Sequence, residues 1–319
     1  MKRGDGRGGD PTAHPENQGS DVTILVTGAT GNIGRRVVGG LVGAGQRVRA
    51  MTRDPGAARL PDGVELVRGD FTRPDTWSGA LDGVDRVYLF PFAYYVPESA
   101  ALGFVEEAAA AGVRRFVVHS AAAAGFAPSD GTSALDRHLE EEREAHRGLE
   151  LMVEATGQEW THVRPGLLAA NALGWAARIR AERTVREPYG RSGYPLVHEA
   201  DVAEVAVAAL LTDAHLGAAY TITGPARVTL VEQATAIGAA IGAEIRFEEL
   251  TPEQARAQWL ADGYPLEMAD WMIELRAAAV DGPGVLPPTR TYEEITGRPP
   301  RTFAQWARDH AVDFMEVAA

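Results

Sequence analysis

The sequence predicts an α/β protein with a doubly wound parallel sheet and a smaller, mainly helical part toward its C-terminal end. Three observations support this prediction. Apolar strand-like runs alternate with amphipathic helical patterns up to residue 165, a glycine-rich turn joins the first strand to the first helix, and the alternation loosens after residue 165. Strands that alternate with helices pair in parallel through crossovers, which places helices on both faces of one sheet.

The strands of the predicted sheet are short apolar runs that end in polar or turn residues. In chain order they are DVTILVTG, RVRAMTR, VELVRGD, VDRVYLF, RRFVVHS and WTHVRP. Helical patterns separate most of them, namely NIGRRVVGGLVGAG, RPDTWSGALDG, ALGFVEEAAAAG and HLEEEREAHRGLELMVEATG. The first helix shows the expected periodicity, because Ile33, Val37, Val38 and Leu41 recur at helical spacing before a glycine-rich stop.

The chain divides by its patterning into a tail, a sheet domain and a C-terminal part. Residues 1–20 combine glycine, proline and charge with almost no large apolar side chains, which predicts a disordered tail. Residues 21–165 form the predicted dinucleotide-binding domain. Residues 166–319 contain the helix HEADVAEVAVAALL, the strand AYTITG and further helical segments broken at DGPGVLPPTR. We expect this last part to be interleaved with the sheet, to cover its carboxyl edge and to bind the substrate.

Composition excludes several classes of protein. The chain has 319 residues, of which 45% are hydrophobic, and a formal net charge of −13, which argues against nucleic acid as a partner. No apolar run approaches the roughly 20 residues that cross a bilayer, so no membrane association is expected. The absence of cysteine fits a reducing cytoplasm. We therefore expect a cytoplasmic protein that is a monomer or a homodimer.

The stretch TGATGNIG predicts a nucleotide site at the first strand-to-helix turn. Gly28, Gly31 and Gly34 lie three residues apart there. Such glycines permit a tight turn and let a pyrophosphate approach the amides at the helix N-terminus. The alternative is a tight turn without a ligand. The residues predicted to bind the dinucleotide in this loop are Gly28, Thr30, Gly31, Asn32, Ile33 and Gly34.

The end of the second strand indicates which dinucleotide is bound. A carboxylate there would accept the ribose hydroxyls of NAD, but this strand ends in Thr52 and Arg53. An arginine can pair with a 2′-phosphate, so the sequence favours NADP(H). The alternative is a solvated Arg53 that Asp54 partly neutralises. Asp70 and Phe71, just after the third strand, are predicted to flank the adenine.

Several motifs occur in the order typical of one family. TGATGNIG, MTRDP, RGDFTRPDTWSGALDGVD, WTHVRPG, HEADVAEVA and YTITGP follow one another as they do in the NmrA-like group of atypical short-chain dehydrogenases/reductases. The resemblance extends from about residue 21 to the closing segment TGRPPRTFAQWARDH. It implies a Rossmann fold with a small substrate-binding part. The group includes quinone and ketone reductases, aromatic ether reductases and redox-sensing regulators.

The resemblance also shows what this chain lacks. Short-chain dehydrogenases generally use a Tyr-x-x-x-Lys pair for proton transfer, and the alignment places Glu142 and His146 at those two positions. Lys2 is the only lysine of the chain, so no shifted alignment restores the pair. His138, Glu142, His146 and Glu150 recur every four residues. His146 is a candidate to bind the nicotinamide ribose or relay a proton, with Glu142 or Glu150 setting its tautomer, whereas we interpret His138 and Glu142 as surface residues.

The loop YLFPFAYYVPES after the fourth strand is predicted to lie beside the cofactor. Phe90 and Pro91 are expected to contact the cofactor, and Tyr94 or Tyr95 to face the substrate, where a phenol could donate a proton to a developing alkoxide. The alternative is that these aromatic residues line an apolar pocket or fill the core.

Further site residues are predicted at the ends of the fifth and sixth strands. By the family resemblance, Ser120 corresponds to the substrate-orienting serine, while His119 is interpreted as a buried strand residue. Pro165 is expected beneath the nicotinamide. Three side chains are predicted to line the substrate pocket, namely Asn171, Trp175 and Tyr194. No metal site is predicted, because the sequence has no HExxH motif and no cysteine.

These observations favour an NADPH-dependent reductase of a small aromatic ketone or quinone, with polyketide-type metabolites among the candidates. Hydride transfer needs mainly positioning, and a reduced quinone is a stabilised phenolate that requires little acid assistance. Two alternatives stay open at this point. The protein could be a non-catalytic NADP-sensing regulator, or an isomerase, dehydratase or cyclase that uses the same pocket.

Overall fold

The computed structural model describes residues 22–90, 98–282 and 284–315. The predicted disordered tail and the predicted contacts of Pro91, Tyr94 and Tyr95 therefore lie outside the described residues. Within the described ranges, no helix combines the length and the apolar character needed to cross a bilayer.

The chain forms eleven strands and eleven α-helices within the described ranges. The strands are β1 (Thr23–Val26), β2 (Arg47–Thr52), β3 (Glu65–Arg68), β4 (Arg86–Leu89), β5 (Arg115–His119), β6 (Glu159–Pro165), β7 (Thr184–Pro188), β8 (Gly193–Tyr194), β9 (Ala218–Ile222), β10 (Val228–Thr229) and β11 (Arg246–Leu250). The helices are α1 (Gly34–Gly43), α2 (Trp77–Leu81), α3 (Glu98–Ala110), α4 (Ala134–Ala155), α5 (Ala176–Glu182), α6 (Glu199–Leu211), α7 (Leu230–Ile241), α8 (Pro252–Ala261), α9 (Leu266–Ala278), α10 (Thr291–Thr296) and α11 (Phe303–Asp309).

Seven strands form one parallel sheet in the order β3-β2-β1-β4-β5-β6-β9, which confirms the predicted doubly wound, Rossmann-type fold. From β1 the chain first adds strands on one side and then crosses to the other side at β4. In such sheets, ligands bind beyond the carboxyl ends of the strands at this reversal. The glycine loop follows β1 directly, so it lies at the expected binding position.

The two faces of the sheet bury separate apolar clusters. Along β1, Ile24 and Val26 point into the cluster that α1 and α6 cover, whereas Leu25 points into the cluster beneath α2, α3 and the end of α4. This alternation follows from the twofold periodicity of a strand. Both faces of β1 are therefore buried, as the apolar run of its sequence predicts.

The region after residue 165 contributes to the sheet layer as well as to the C-terminal part. The strand β9 pairs in parallel with β6, with Thr161 opposite Ala218 and Pro165 opposite Ile222. Helix α6 packs on α1 on one face of the sheet. The sequence therefore returns to the sheet after an excursion through residues 166–198, and the predicted boundary at residue 165 remains a prediction.

The C-terminal part contains two small sheets that the sequence pattern did not predict. β7 pairs with β11 in parallel, and β8 pairs with β10 in an antiparallel arrangement. These strands have two to five residues, and β11 reads Arg-Phe-Glu-Glu-Leu, so no apolar alternation marks them. An ion pair of 2.5 Å between Arg186 Nε and Glu248 Oε2 instead links β7 to β11.

Helix α4 begins four residues earlier than the predicted start at His138. Ser133 precedes it, and the Ser133 hydroxyl accepts a hydrogen bond of 3.0 Å from the backbone N–H of Asp136. The Asp136 carboxylate in turn accepts one of 3.3 Å from the backbone N–H of Ser133. This reciprocal capping box satisfies two amides that would otherwise lack partners at the helix N-terminus, so it fixes the start of the helix.

Candidate active site

Two positions of the glycine loop can hold only glycine. Gly28 has a φ of +61°, and a Cβ placed on it would lie 2.7 Å from Cδ1 of Phe90. A Cβ on Gly34 would lie 2.1 Å from the carbonyl oxygen of Gly28. The first glycine therefore serves a left-handed turn, and the second lets the first turn of α1 approach the end of β1 closely.

The rest of the loop leaves the N-terminus of α1 open. Thr30, Gly31 and Asn32 are exposed, while Ile33 is 9% exposed and packs into the core below α1. Exposed backbone amides at the start of a ten-residue helix suit a pyrophosphate. The residues present thus fit a nicotinamide dinucleotide.

Arg35, in the first turn of α1, is a residue near the loop that the sequence analysis missed. Its Nε donates a hydrogen bond of 3.1 Å to the carbonyl oxygen of Gly31, and its Nη2 donates one of 3.0 Å to that of Thr30. The guanidinium group therefore lies on the outer side of the loop and adds positive charge beside the open amides. An arginine directly after the last glycine of the motif was the available signal.

Arg53 lies exposed at the end of β2, and the neighbouring Asp54 does not neutralise it. The Asp54 carboxylate instead accepts hydrogen bonds from the backbone N–H groups of Gly56, at 3.1 Å, and Ala57, at 3.3 Å. Arg53 makes no ion pair within the described part of the chain, although its charge contributes to lowering the pKa of Asp70. Its guanidinium is thus available for an anionic group such as a 2′-phosphate.

The two residues predicted beside the adenine have different surroundings. The Asp70 carboxylate accepts hydrogen bonds of 2.8 Å from both the N–H and the hydroxyl of Thr72, and these bonds are the largest cause of its lowered pKa. Phe71 is 9% exposed, and its ring packs edge-on against Phe104 at 4.7 Å. Their contact with adenine remains a prediction.

The carboxyl ends of β4 and β5 meet at an aromatic contact. The backbone N–H of Phe90 donates a hydrogen bond of 2.7 Å to Thr27 Oγ1, and the Phe90 ring meets the His119 ring edge-on at 4.6 Å. His119 Nδ1 lies 2.8 Å from the Tyr88 hydroxyl. Burial, together with nearby His146, lowers the pKa of His119 to about 3, so its imidazole is neutral.

Ser120 follows His119 and is 1% exposed. Its Oγ has no hydrogen-bond partner of normal geometry among the described residues, although its hydroxyl lies close enough to Glu150 to help lower the pKa of that carboxyl. Pro165, at the end of the neighbouring strand β6, is also buried. A buried hydroxyl without a fixed partner is suited to bind a polar atom that enters the site.

The interpretation of Glu142 as a surface residue is wrong. Its side chain is 19% exposed, and its Oε2 lies 3.6 Å from Nε2 of His146, whose side chain is 13% exposed. Burial raises the pKa of Glu142 to about 7 and lowers the pKa of His146. His146 Nδ1 is buried without a hydrogen-bond partner in the part of the chain that is described.

The surface interpretation of His138 is also wrong. The His138 imidazole stacks on Trp271 of α9, with ring centroids 3.9 Å apart and an interplanar angle of 5°. Close by, the backbone N–H of Leu135 donates a hydrogen bond of 2.7 Å to Glu274. The first turns of α4 are therefore covered by α9, which is why an acidic helix carries buried residues.

Glu150 does not hydrogen-bond His146, which rules out the expectation that it sets the tautomer of that imidazole through a direct bond. Its fully buried carboxylate accepts two hydrogen bonds from Arg164, at 2.8 and 2.6 Å, and one of 3.0 Å from Arg147. Arg164, with a smaller contribution from Ser120, holds the pKa of Glu150 below its ordinary value despite its burial. Glu150, Glu154 and His162 have ligand atoms within 4.8 Å of one another, but the two guanidinium groups already compensate this acidic cluster.

A cavity of about 430 Å³ lies in the C-terminal part and contains all three predicted pocket residues, Asn171, Trp175 and Tyr194. Leu167, two residues beyond Pro165, also lines it. The other large apolar side chains in its wall are Trp259, Trp271, Met268, Met272, Leu196, Leu230 and Leu275. A volume of this size suits a small organic molecule.

Polar groups in the cavity wall are largely committed to one another. The Glu187 carboxylate accepts a hydrogen bond of 2.9 Å from the Trp175 indole and lies 2.9 Å from Nη2 of Arg276. The Tyr194 hydroxyl donates to the Leu275 carbonyl oxygen at 3.2 Å and accepts from Ser192 at 2.7 Å. Tyr194 is therefore a wall residue whose hydroxyl already has partners.

Comparison with known proteins agrees with this geometry. Residues 28–213 match the NAD(P)H-binding family. A (4-alkanoyl-5-oxo-2,5-dihydrofuran-3-yl)methyl phosphate reductase from Streptomyces griseus is 37% identical over 91% of this chain and 99% of its own. An NAD(P)H azoreductase from Xenophilus azovorans is 36% identical over the same shares of the two chains. The structure of an NADPH-dependent quinone oxidoreductase from Escherichia coli with NADPH, 22% identical, covers 90% of this chain and 99% of that one with a TM-score of 0.70.

The fold and the glycine loop define a dinucleotide-binding α/β protein, and the chain belongs to the NAD(P)H-binding family. The resemblance to the NmrA-like, atypical short-chain dehydrogenases/reductases is confirmed at this level. The chain is an oxidoreductase, and the predicted nicotinamide dinucleotide cofactor is confirmed as NAD(P)H.

Proposed function

We propose that this protein is an NADPH-dependent reductase of a small aromatic ketone or quinone, polyketide-type metabolites included. The observation that carries the proposal is the cavity of about 430 Å³ with Trp175, Trp259 and Trp271 in its wall. Planar indole surfaces favour aromatic ligands through offset or edge-on stacking. The azoreductase and quinone oxidoreductase names of two relatives support the same substrate class.

NADPH is proposed over NADH because of the charges at the end of β2. Arg53 is exposed and carries no ion pair within the described ranges, and the adjacent carboxylate of Asp54 is held by backbone N–H groups. The end of the second strand thus presents an unpaired cation among the described residues, while one oxygen of the adjacent carboxylate is bound to backbone N–H groups. This arrangement favours a 2′-phosphate over a free hydroxyl.

Bound NADPH would supply a hydride, that is, two electrons and one proton. The residues that would orient the nicotinamide lie at the carboxyl edge, where Phe90 packs on His119 and the buried Ser120 hydroxyl lacks a partner of normal geometry in the described structure. Pro165 and Leu167 connect this edge to the cavity, since Pro165 ends β6 and Leu167 lines the cavity wall. A substrate that enters the cavity through this side would meet the nicotinamide.

The proposal is tested by mixing the purified protein with NADPH and a panel of naphthoquinones and aromatic polyketide ketones. We expect loss of the nicotinamide absorbance with at least one member, together with a matching amount of reduced product. Tight NADPH binding without consumption on any member would overturn the reductase proposal and favour the NADP-sensing regulator.

The setting of the protein is part of the same proposal. We propose a cytoplasmic enzyme that acts as a monomer or homodimer on a small molecule, without a nucleic acid partner. The net charge of −13 supports the last point, because nucleic acid binding rests mainly on phosphate neutralisation. Sedimentation at micromolar concentration distinguishes the two oligomeric states, and loss of mobility with duplex DNA or RNA at low salt would contradict the expectation about nucleic acid.

A further inference from the structure

Three residues on one face of α4 connect the cavity wall to the carboxyl edge of the sheet. His138 stacks on Trp271, which lines the cavity, and His146 is near enough to His119, at the end of β5, to help lower its pKa. Glu142 lies one helical turn from each histidine. Because one turn of helix rises about 5.4 Å, Glu142 lies along α4 between the histidine at the cavity wall and the histidine toward the sheet.

Neighbouring side chains also lead from the glycine loop toward this carboxyl. Phe90 packs over Gly28, and the Phe90 ring meets His119 at 4.6 Å. His146 is near enough to help lower the pKa of His119, and the Nε2 of His146 is 3.6 Å from Glu142 Oε2. These residues lie between the glycine loop, where the dinucleotide is proposed to bind, and Glu142. None of them is an arginine or a lysine.

Within residues 22–90, 98–282 and 284–315, the charged groups near Glu142 leave its carboxyl without a cationic partner. On α4, Arg147 binds Glu150 and Glu154, while Arg143 binds Glu140 and Glu144. Arg164 of β6 also binds Glu150. Across the helix interface, α9 presents its own carboxylates, Glu267 and Glu274. His138, His146 and His119 all have lowered pKa values and are neutral near pH 7.

We propose that Glu142 is the proton donor of the reductase, and that His146 is the residue that positions its carboxyl group. This proposal rests on the proposed function. In the reduction of a ketone, the carbonyl carbon accepts the hydride that NADPH supplies, and the C=O π pair moves to the oxygen. That oxygen takes the proton from the O–H of Glu142, which leaves a carboxylate that regains a proton from water. The sum is NADPH, H⁺ and ketone giving NADP⁺ and alcohol.

The environment of Glu142 is what makes the proton available at neutral pH. An ordinary glutamate is almost fully ionised at pH 7, but burial raises the pKa of Glu142 to about 7. A general acid works best when its pKa lies near the working pH. The His146 ring lies 3.6 Å from the carboxyl, so it packs beside Glu142 and limits its movement without drawing its proton away.

The test compares Glu142→Gln with the control Glu141→Gln, whose side chain is exposed on the same helix. We expect Glu142→Gln to lower kcat on ketones about 100-fold, a typical size for loss of a general acid, and to remove the decline of kcat above pH 7. On quinones the loss should be under tenfold, because the reduced oxygen is a stabilised phenolate. Unchanged kcat and pH profile on ketones would overturn the proposal.

Two further measurements separate this proposal from the proposed function. Infrared spectroscopy of the protein without substrate should show the carbonyl band of a protonated carboxyl that disappears between pH 6 and 8 and is missing in Glu142→Gln. If that band is absent in the wild type, Glu142 is not the donor, even when NADPH is consumed. If the band is present but no substrate on the panel is reduced, the reductase function fails instead.

His146→Asn tests the positioning role. Loss of the imidazole beside Glu142 should shift the pH at which kcat on ketones falls by at least half a pH unit, and leave NADPH binding within threefold. A uniform loss of kcat with an unchanged pH profile would mean that His146 acts only in structure. That outcome would overturn its assignment as the positioning residue.

Discussion

Two carboxyl groups eight residues apart on α4 have pKa values shifted in opposite directions. Glu150 is bound by Arg147 and Arg164, and Arg164 holds its pKa below its ordinary value. In the described chain, His146 is the one basic side chain within ion-pair distance of Glu142, and the pKa of its imidazole is lowered. Burial raises the pKa of Glu142. The same helix therefore keeps one carboxyl charged as a structural anchor and leaves another able to hold a proton.

The raised pKa of Glu142 has a consequence for stability. A carboxyl whose pKa is about 7 in the folded state, against 4.5 ordinarily, gives stability that is fully present below pH 4.5 and lost as the pH rises through 7. Glutamine cannot ionise, so Glu142→Gln should match the wild type near pH 4.5 and exceed it by roughly 1–3 kcal/mol at pH 8. Thermal unfolding at the two pH values measures the difference. A shift in Tm that is equal at both values would contradict the prediction.

Arg53 permits a test of cofactor choice at the same scale. Replacement by alanine should weaken NADPH binding about tenfold or more and leave NADH binding within twofold, since only NADPH carries the 2′-phosphate. Arg59→Ala is the matched control, because Arg59 is also exposed and its guanidinium contacts backbone carbonyl groups. Fluorescence titration with both dinucleotides gives the two dissociation constants. Equal losses for NADPH and NADH would end the assignment to Arg53.

At the scale of elements, the sequence predicted the strands and helices that are determined by their own residues. The strands around the glycine loop and their helices were predicted because each has its own apolar period and its own turn residues. The short strands β7, β8, β10 and β11 were missed, because they are held by pairing with distant segments and have no alternation of their own. The sequence pattern also gave a wrong prediction for α4, because its acidic sequence suggests that His138 and Glu142 face solvent.

The cover on that face comes from α9, which lies more than 100 residues further along the chain. No periodicity within α4 could indicate that Trp271 stacks on His138 or that burial surrounds Glu142. The family resemblance identified the two positions of the missing pair, and only the tertiary structure revealed their surroundings. For the candidate site, the cofactor contacts of the glycine loop stay a prediction, and no local pattern in the sequence indicated the burial of Glu142.

The start of α1 offers a prediction at the element scale. Gly34→Ala would place a Cβ 2.1 Å from the Gly28 carbonyl oxygen, and the contacted atom is backbone, so the loop and the helix must separate. We expect a lower Tm and loss of dinucleotide binding. Gly39→Ala on the same helix meets nothing within 4 Å and should be neutral or stabilising by about 0.5–1 kcal/mol. If Gly34→Ala binds NADPH as the wild type does, close packing of this turn is not required.

At the scale of the whole molecule, α4 joins the two functional regions. Its N-terminal turns pack on α9 beside the cavity, and its C-terminal half is fixed to the sheet through Glu150 and Arg164. A change in the cavity wall at Trp271 therefore reaches the position of Glu142 through His138. Substrate fit and proton donation are coupled by one rigid helix.

Trp271→Ala tests this arrangement. Loss of the indole should raise KM for aromatic substrates about tenfold, because stacking area in the cavity is removed. Trp160→Ala is a matched control, since Trp160 is also half-buried and stacks on a histidine, His162, with ring centroids 4.4 Å apart. Steady-state kinetics on the best substrate of the panel give the KM of each variant. Equal effects of the two substitutions would show that general destabilisation, not the cavity, sets KM.

The return of the chain to the sheet at β9 has a further consequence for how such a protein can diversify. Residues 166–198 and 223–290 are two excursions that both leave from, and return to, the same sheet layer, since α6, β9 and α10 pack there. Each excursion behaves as an insertion whose ends are held at fixed positions by the sheet. The sheet and its glycine loop can therefore stay constant while either excursion is exchanged, so a chimera that takes both from a relative should acquire that relative's substrate preference and keep its own cofactor.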